Sequence, residues 1–295
     1  PYTTLFRSIG TPKDMAKALE LYKKSAAQKE TLGESALGQC YLNGYGTAQN
    51  YSLARDYLEA AAKKGNARAQ YWLGRIYFEG WGVSKNDQEA VKWFQHAAAQ
   101  HYGKAENAMG RAYYYGRGVP QDYQKCAEWY LKAAKNGEPA SQSNIGMLYR
   151  EGKGVPIDFS KSIYYLKMAV KNKYPGAYGH LGGAYYHGNH GASRDYNKAF
   201  ELFSEGEKLG DANCAFYLGL MYYFGKGVSK NYATAVDYYK KAVTQNHSMA
   251  QNNLGWCYLK GHGVPKDKAT AVSYFRLSAA QGVEIAKTNL KLHGN

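Results

Sequence analysis

The chain contains no run of about 18 consecutive apolar residues, the length a membrane-spanning helix requires, so no transmembrane helix is expected. It is short of acid, with 23 Asp and Glu against 38 Lys and Arg and a net charge of +15, a balance that favours acidic partners. Part of that charge has a local reading. Lys63, Lys64, Lys132, Lys135, Lys171, Lys240 and Lys241 fall in the last turns of predicted helices, where a cation offsets the helix dipole. There is no linker, low-complexity tract or composition shift, so one continuous array is expected in place of the two or so domains that 295 residues would suggest.

Catalytic signatures are also missing: no H-E-x-x-H, S-x-x-K, G-x-S-x-G or C-x-x-C occurs. Several Gly-x-Gly loops are present, but they lack the third glycine and the Lys-Ser/Thr of phosphate cradles, and they follow predicted helices instead of strands. Acidic residues are scattered over helix surfaces. His180, His187 and His190 cluster in sequence, yet a metal needs three or four converging ligands with partners behind them. The expectation is no enzyme, no cofactor and no metal.

The four cysteines do not form a framework. Cys40 and Cys257 hold one repeat position six repeats apart, and Cys126 and Cys214 lie in different repeats. Helices packed about 8–10 Å apart keep such positions beyond the ~7 Å Cα limit for a disulfide. Four free, mostly buried thiols are expected, which fits a reducing compartment.

What is present is a period. A Leu-Gly-like pair recurs with its glycine at Gly38, Gly74, Gly110, Gly146, Gly182, Gly219 and Gly255, spaced by 36 residues except for one step of 37. Each is followed three residues on by Tyr and then by paired glycines. A period in this range marks a stacked helical repeat array, an all-α solenoid of helix-turn-helix units. The repeats run 31–66, 67–102, 103–138, 139–174, 175–211, 212–247 and 248–283, with half repeats at 9–30 and 284–295. Residues 1–8, PYTTLFRS, match the translation of a sequencing-library adapter, and the chain lacks an initiator Met and opens inside a repeat. The natural signal is therefore expected to begin near Ile9-Gly10, with any upstream segment absent.

One repeat shows the local logic. Residues 67–79 read as helix A, with Ala69, Leu73, Ile76 and Tyr77 at helical spacing. Gly80 stops it, and Asn86 caps helix B, which carries Ala90, Trp93, Phe94 and Ala97. Asp14, Asn50, Asp122, Asp158, Asp195, Asn231 and Asp267 are the equivalents of Asn86. Gly65, Gly137, Gly210 and Gly282 end B helices, and Pro139 and Pro175 open A helices. Small residues (Ala69, Ala105, Ser141, Ala177, Cys214, Ala250) let helices approach, and the fixed tyrosines fill the space between A and B. Thirty tyrosines suit a thin structure, because the ring packs while the hydroxyl stays wet.

The recurring pattern A-x(3)-[LIM]-G-x-x-Y-x-x-G-x-G-V, then [DN] and an Ala-rich aromatic helix, resembles the Sel-one-like repeat family, a relative of the tetratricopeptide repeats, over residues 9–295. The resemblance implies a right-handed superhelix of helix pairs acting as an adaptor or scaffold, as family members assemble signalling, membrane-associated degradation or host-contact complexes. Cysteine-rich bacterial members bridge the helices of a repeat with disulfides, and this chain lacks those pairs.

By analogy with tetratricopeptide repeats, helix A lines a concave groove. Its groove-facing positions are three before the key glycine and one, four and five after it. These columns vary while the frame columns do not. They assign peptide or partner contacts to Tyr71, Arg75, Phe78, Asn107, Arg111, Tyr114, Tyr115, Met147, Arg150, Tyr186, Phe216, Leu220, Tyr223, Phe224, Asn252 and Trp256, types enriched in interface cores. Column four can equally be buried against the next repeat. Tyr71, Arg75, Asn107, Arg111, Tyr114 and Arg150 suit a carboxylate or an acidic peptide, whereas Phe216, Leu220, Tyr223, Phe224 and Trp256 form an apolar stretch. The fifth repeat departs, with a longer loop at Gly188–Gly191 and glycines at Gly176, Gly179, Gly182 and Gly183. A hinge and simple drift both account for it. Two other function classes stay open: a nucleic-acid-binding helical repeat, although the columns show no regular one-base code, and the regulatory arm of an enzyme whose catalytic domain is missing.

Overall fold

Side-chain caps fix where the B helices start. The Oδ1 atoms of Asn50, Asn86, Asp122, Asp158, Asp195, Asn231 and Asp267 each accept the backbone N–H three residues on, at 2.9–3.1 Å. Each of these residues also donates its own N–H to the carbonyl of the fixed tyrosine of helix A, as Asn86 does to Tyr77 at 2.9 Å, so the A–B turn is closed at both ends. In the computed structural model, which describes residues 12–294, the B helices are α1 (Pro12–Ala27), α3 (Tyr51–Lys63), α5 (Asp87–Ala99), α7 (Tyr123–Lys135), α9 (Phe159–Lys171), α11 (Tyr196–Lys208), α13 (Tyr232–Thr244) and α15 (Lys268–Ala280). The A helices are α2 (Thr31–Asn43), α4 (Ala67–Glu79), α6 (Gly103–Tyr115), α8 (Pro139–Glu151), α10 (Pro175–His187), α12 (Ala212–Phe224), α14 (Ser248–Lys260) and α16 (Glu284–His293). The adapter-like residues 1–8 lie outside the described residues. Asp14 departs from the expected cap, because α1 already begins at Pro12.

These sixteen helices are the only regular elements among the described residues. Those of the full repeats are 13 residues long, a length marginal in isolation, so packing must hold them. The key glycine makes that packing possible. A Cβ at Gly74 would meet the Phe94 ring at 2.6 Å, and one at Gly219 would meet the Tyr239 ring at 2.5 Å. The fixed tyrosine packs on helix B as expected: Tyr41 on Tyr57, Tyr149 on Tyr165, Tyr222 on Tyr238 and Tyr258 on Tyr274 stack with centroids 5.7–5.9 Å apart. The shared small positions Ala69, Ala105, Ser141, Ala177, Cys214 and Ala250 are fully buried.

Contacts cluster into two compact units. One comprises residues up to Leu148 with Gly152–Pro156, and the other Tyr149–Glu151 with Ile157 onward. Within each, the residue between the paired loop glycines reaches back to the first residue of the preceding helix B. In the first unit Trp81 stacks on Tyr51 with centroids 6.4 Å apart, and Arg117 Nε donates to Asp87 at 3.0 Å. In the second, His262 stacks on Tyr232 at 4.4 Å. The second loop glycine lies in the same contact: a Cβ on Gly118 (φ +73) would stand 2.2 Å from the Asp87 carbonyl oxygen.

A buried polar column, four before the key glycine, serves the ends of the B helices. Gln70 and Gln142 donate to the carbonyls of Ala62 and Ala134, and Tyr178 to that of Val170. Lys64 lies one residue past α3 and pairs with buried Glu34 of the same repeat at 2.7 Å, and its Nζ also donates to the Lys29 carbonyl of the preceding half repeat at 2.8 Å, so it ties helix ends together in addition to facing one. Lys240 lies outside the basic last turn of α13, which is represented by Lys241. In the fifth repeat the extra residue is absorbed by His190 (φ +51), whose ring packs on Phe159 at 5.4 Å. Gly206 stands where a Cβ would lie 2.4 Å from Cys214 Sγ and 2.7 Å from Tyr178 Cβ, so it makes room for the tyrosine in the polar column. Cys40, Cys126, Cys214 and Cys257 are free and buried, and burial pushes the Cys40 thiol up to about 11 and the Cys126 and Cys257 thiols up to about 12.

Candidate partner-binding site

Successive A helices leave a hollow between them, and its chemistry differs between the units. In the first unit it lies between α4 and α6, has a volume of about 20 Å³, and is lined by Tyr71, Arg75, Phe78, Phe94, Lys104, Asn107, Ala108 and Arg111. Tyr71 and Phe78 are 8% and 5% exposed, so they form its floor and do not reach outward. Tyr71 packs against Trp72, Phe94 and Tyr102. Phe78 lies beneath the Arg117 guanidinium, whose carbon is 3.4 Å from the ring centroid.

The cations above that floor differ in commitment. Arg75 donates to Tyr71 Oη at 3.3 Å and Glu79 Oε1 at 3.2 Å, and it lies over Trp81 at 5.1 Å, yet its buried Nε has no acceptor. Arg111 is exposed and, like Lys104, makes no ion pair with the described residues. Asn107 Oδ1 accepts from Ser141 Oγ at 2.9 Å and Asn144 Nδ2 at 3.2 Å. Its carbonyl is thereby held toward α8, which leaves its amide N–H groups as the open donors. Tyr114 Oη accepts from Lys153 Nζ at 3.1 Å, Tyr115 is exposed, and Met147 is half-buried on α8.

In the second unit the corresponding hollow, between α12 and α14, has a volume of about 250 Å³ and is lined by Tyr223, Phe224, Tyr239, Asn253 and Trp256. Tyr223 Oη is 2.8 Å from His262 Nδ1, and burial pushes the Tyr239 hydroxyl pKa up. Phe224 is 57% exposed. Trp256 meets Phe275 and His293 edge-on, with Lys260 Nζ 5.2 Å from its ring. Phe216 and Asn252 are buried behind the pocket, Phe216 stacked on His247 and Asn252 Oδ1 accepting from Asn289 Nδ2, while Leu220 is half-buried. Arg150 also belongs to this unit. It is half-buried, 3.7 Å from Glu151, and its charge adds to burial in depressing the His180 pKa. Tyr186 packs among Tyr196, Tyr217 and His187.

The column three before the key glycine is thus a correction to the sequence reading: Ser35, Tyr71, Ser143, Gly179, Phe216 and Asn252 are all buried, and only Asn107 is half-open. Column five, from Asn43 to Lys260, is exposed in every repeat. Sequence reasoning missed the column two before the glycine, which supplies Ala108 and Asn253, although its variability (Trp72, Ala108, Asn144, His180, Tyr217) was a signal. It also missed the loop residues such as Arg117 and His262, whose bulk is out of place in a simple turn.

A family model for the Sel1 repeat matches residues 4–30, 32–66, 67–102, 103–138, 139–174, 175–211, 212–247 and 248–283. No curated protein sequence matches the chain. Among solved structures, a protective antigen present in uropathogenic Escherichia coli strains, displaying an SLR fold, is 32% identical with a TM-score of 0.70, covering 98% of this chain and 66% of its own. The chain therefore spans just under two thirds of that antigen's length. A Sel1 repeat protein from Oxalobacter formigenes is 26% identical with a TM-score of 0.70, covering 99% of this chain and 84% of its own. An immunity protein from Pseudomonas aeruginosa shares the fold at 21% identity and a TM-score of 0.51, covering 72% of this chain and 81% of its own. Sel1 repeats are scaffolds that mediate protein–protein interaction, and their helical solenoid is typically non-catalytic. With eight repeats matched along most of its length, the chain belongs to the Sel1 repeat family.

Proposed function

We propose that this Sel1 repeat protein is an adaptor that binds a peptide or partner domain across the exposed face of its A helices, with an acidic or carboxylate-bearing ligand at the α4–α6 hollow. The observation that carries this reading is a donor set without acceptors. Arg111 and Lys104 make no ion pair with the described residues, Asn107 is oriented by Ser141 and Asn144, and Arg75 Nε is unsatisfied. Of the acids near them, Glu79 is already paired with Arg75, and Glu138 acts on Lys104 through space without an ion pair. A carboxylate satisfies several of these donors at once, and hydrogen bonds to charged groups are worth about 1.5–3 kcal/mol.

The test is an unbiased pull-down followed by affinity measurement with Arg111→Ala and Lys63→Ala side by side. Lys63 pairs with Glu59 at 2.7 Å on the outer surface of α3. Arg111→Ala should weaken binding about tenfold or more, and Lys63→Ala should leave it nearly unchanged. Equal losses that track salt concentration would mean diffuse electrostatics and would overturn the reading.

A further inference from the structure

The α12–α14 pocket is walled by the rings of Tyr223, Phe224, Tyr239 and Trp256, with the Asn253 amide as its polar element. Pockets that enclose whole small ligands start at about 300 Å³, so a space of about 250 Å³ suits a single side chain. Between them α12 and α14 carry no acidic residue and one charged residue, Lys260. Its Nζ lies 5.2 Å from the Trp256 centroid and makes no ion pair with the described residues.

These facts select the occupant. Four rings could enclose a cation, but Lys260 already stands over one of them, and no carboxylate on either helix balances a second positive charge. A free anion would lose its hydration against apolar walls. A flat apolar group with negative charge just outside the walls satisfies both conditions. We infer that the pocket takes one aromatic side chain of an acidic peptide, with the neighbouring carboxylates facing Lys260. Asn253 fits a backbone contact: its Oδ1 accepts from Asn252 Nδ2 at 3.2 Å, and its Nδ2 has only a 3.5 Å approach to Tyr239 Oη, so it can donate to a peptide carbonyl. Phe224, a large ring left mostly in water, is covered when the pocket fills. The inference rests on the A-helix face being the binding face.

The experiment titrates the full chain with three pentapeptides, followed by tryptophan fluorescence and calorimetry at low salt. One is acetyl-Asp-Asp-Phe-Asp-Asp-amide, the second has Ala in place of Phe, and the third has Lys in place of Asp. The acidic Phe peptide should bind at least tenfold tighter than either of the others. Trp256→Ala and the surface change Phe224→Ala should each weaken it at least fivefold with helicity unchanged, and Lys63→Ala, which lines neither hollow, should not affect it. Tighter binding of the Lys-flanked peptide would identify a cation cage and overturn the inference, as would no binding by any peptide. Equal binding of the Phe and Ala peptides, both weakened by Arg111→Ala, would remove the pocket inference while leaving the A-helix reading intact. Failure of that broader reading is registered separately, by the Arg111 and Lys63 pull-down.

Discussion

The α4–α6 hollow and the α12–α14 pocket occupy the same place in the repeat and share almost none of their chemistry. Arg75 corresponds to Leu220, Phe78 to Tyr223, Glu79 to Phe224, Arg111 to Trp256 and Arg117 to His262. In the first unit Arg117, held by Asp87 and by the Phe78 carbonyl at 2.8 Å, presses on Phe78, and the hollow closes to about 20 Å³. In the second the Tyr223 hydroxyl is drawn to His262, and about 250 Å³ stays open between rings. The loop residue that latches one repeat to the next therefore also sets how deep the hollow is. One frame can hold two recognition chemistries because the frame columns and the latch column are separate.

The frame should fail alike in both units. Gly118→Ala and Gly263→Ala would place a Cβ 2.2 Å from the Asp87 carbonyl oxygen and 2.4 Å from that of Tyr232, both at positive φ. Each should cost about 2–4 kcal/mol in chemical denaturation. A variant at wild-type stability would show that its unit does not depend on the close loop contact.

The latches should fail differently. Arg117→Ala removes a partly exposed ion pair and the cover of Phe78, for about 1–2 kcal/mol, whereas His262→Ala removes a stack and the contact with the Tyr223 hydroxyl and should cost about 1 kcal/mol or less. The Asp87 pKa is depressed, first by its hydrogen bond from Arg117. A folded-state value below the unfolded one means the contribution is full above the unfolded carboxylate pKa and is lost as pH falls through the folded value. The stability gap between wild type and Arg117→Ala should therefore shrink below about pH 4. A gap that stayed constant down to pH 2 would assign the loss to packing alone.

The smallest effects lie at the ends of the B helices. Lys29 and Asn246 hold the left-handed positions, at φ +55 and +60, that Gly65, Gly137, Gly210 and Gly282 hold elsewhere. Lys29→Gly should stabilise by about 0.5–1 kcal/mol by relieving that conformation. Asn246→Gly should gain nothing, because Asn246 Oδ1 accepts from Gln251 at 2.8 Å and Gln281 at 3.1 Å. Equal gains in thermal melts would mean those amide bonds contribute little.

The sequence by itself determined the helices, because their signals are local. A period of 36 residues, an Asx cap three residues from the N–H it accepts, and a stop glycine at φ +77 after Glu79 act within a turn or two of chain. The key glycine and its aromatic neighbour, 20 residues apart as in Gly74 and Phe94, sit inside one repeat and follow from the same pattern. Of the candidate site, the sequence marked the columns that vary and the types they carry, including the ring-rich end around Trp256. Tertiary structure alone decided which of those columns stay open. Tyr71, Phe78, Phe216 and Asn252 stand on A helices at helical spacing from exposed neighbours, and only the packing of neighbouring helices puts them underneath. The same packing brings Arg117 to Asp87, 30 residues back, and gives one hollow a polar mouth and the other an aromatic wall. Such contacts depend on how whole helices pack against each other, a relation that no local stretch of chain encodes.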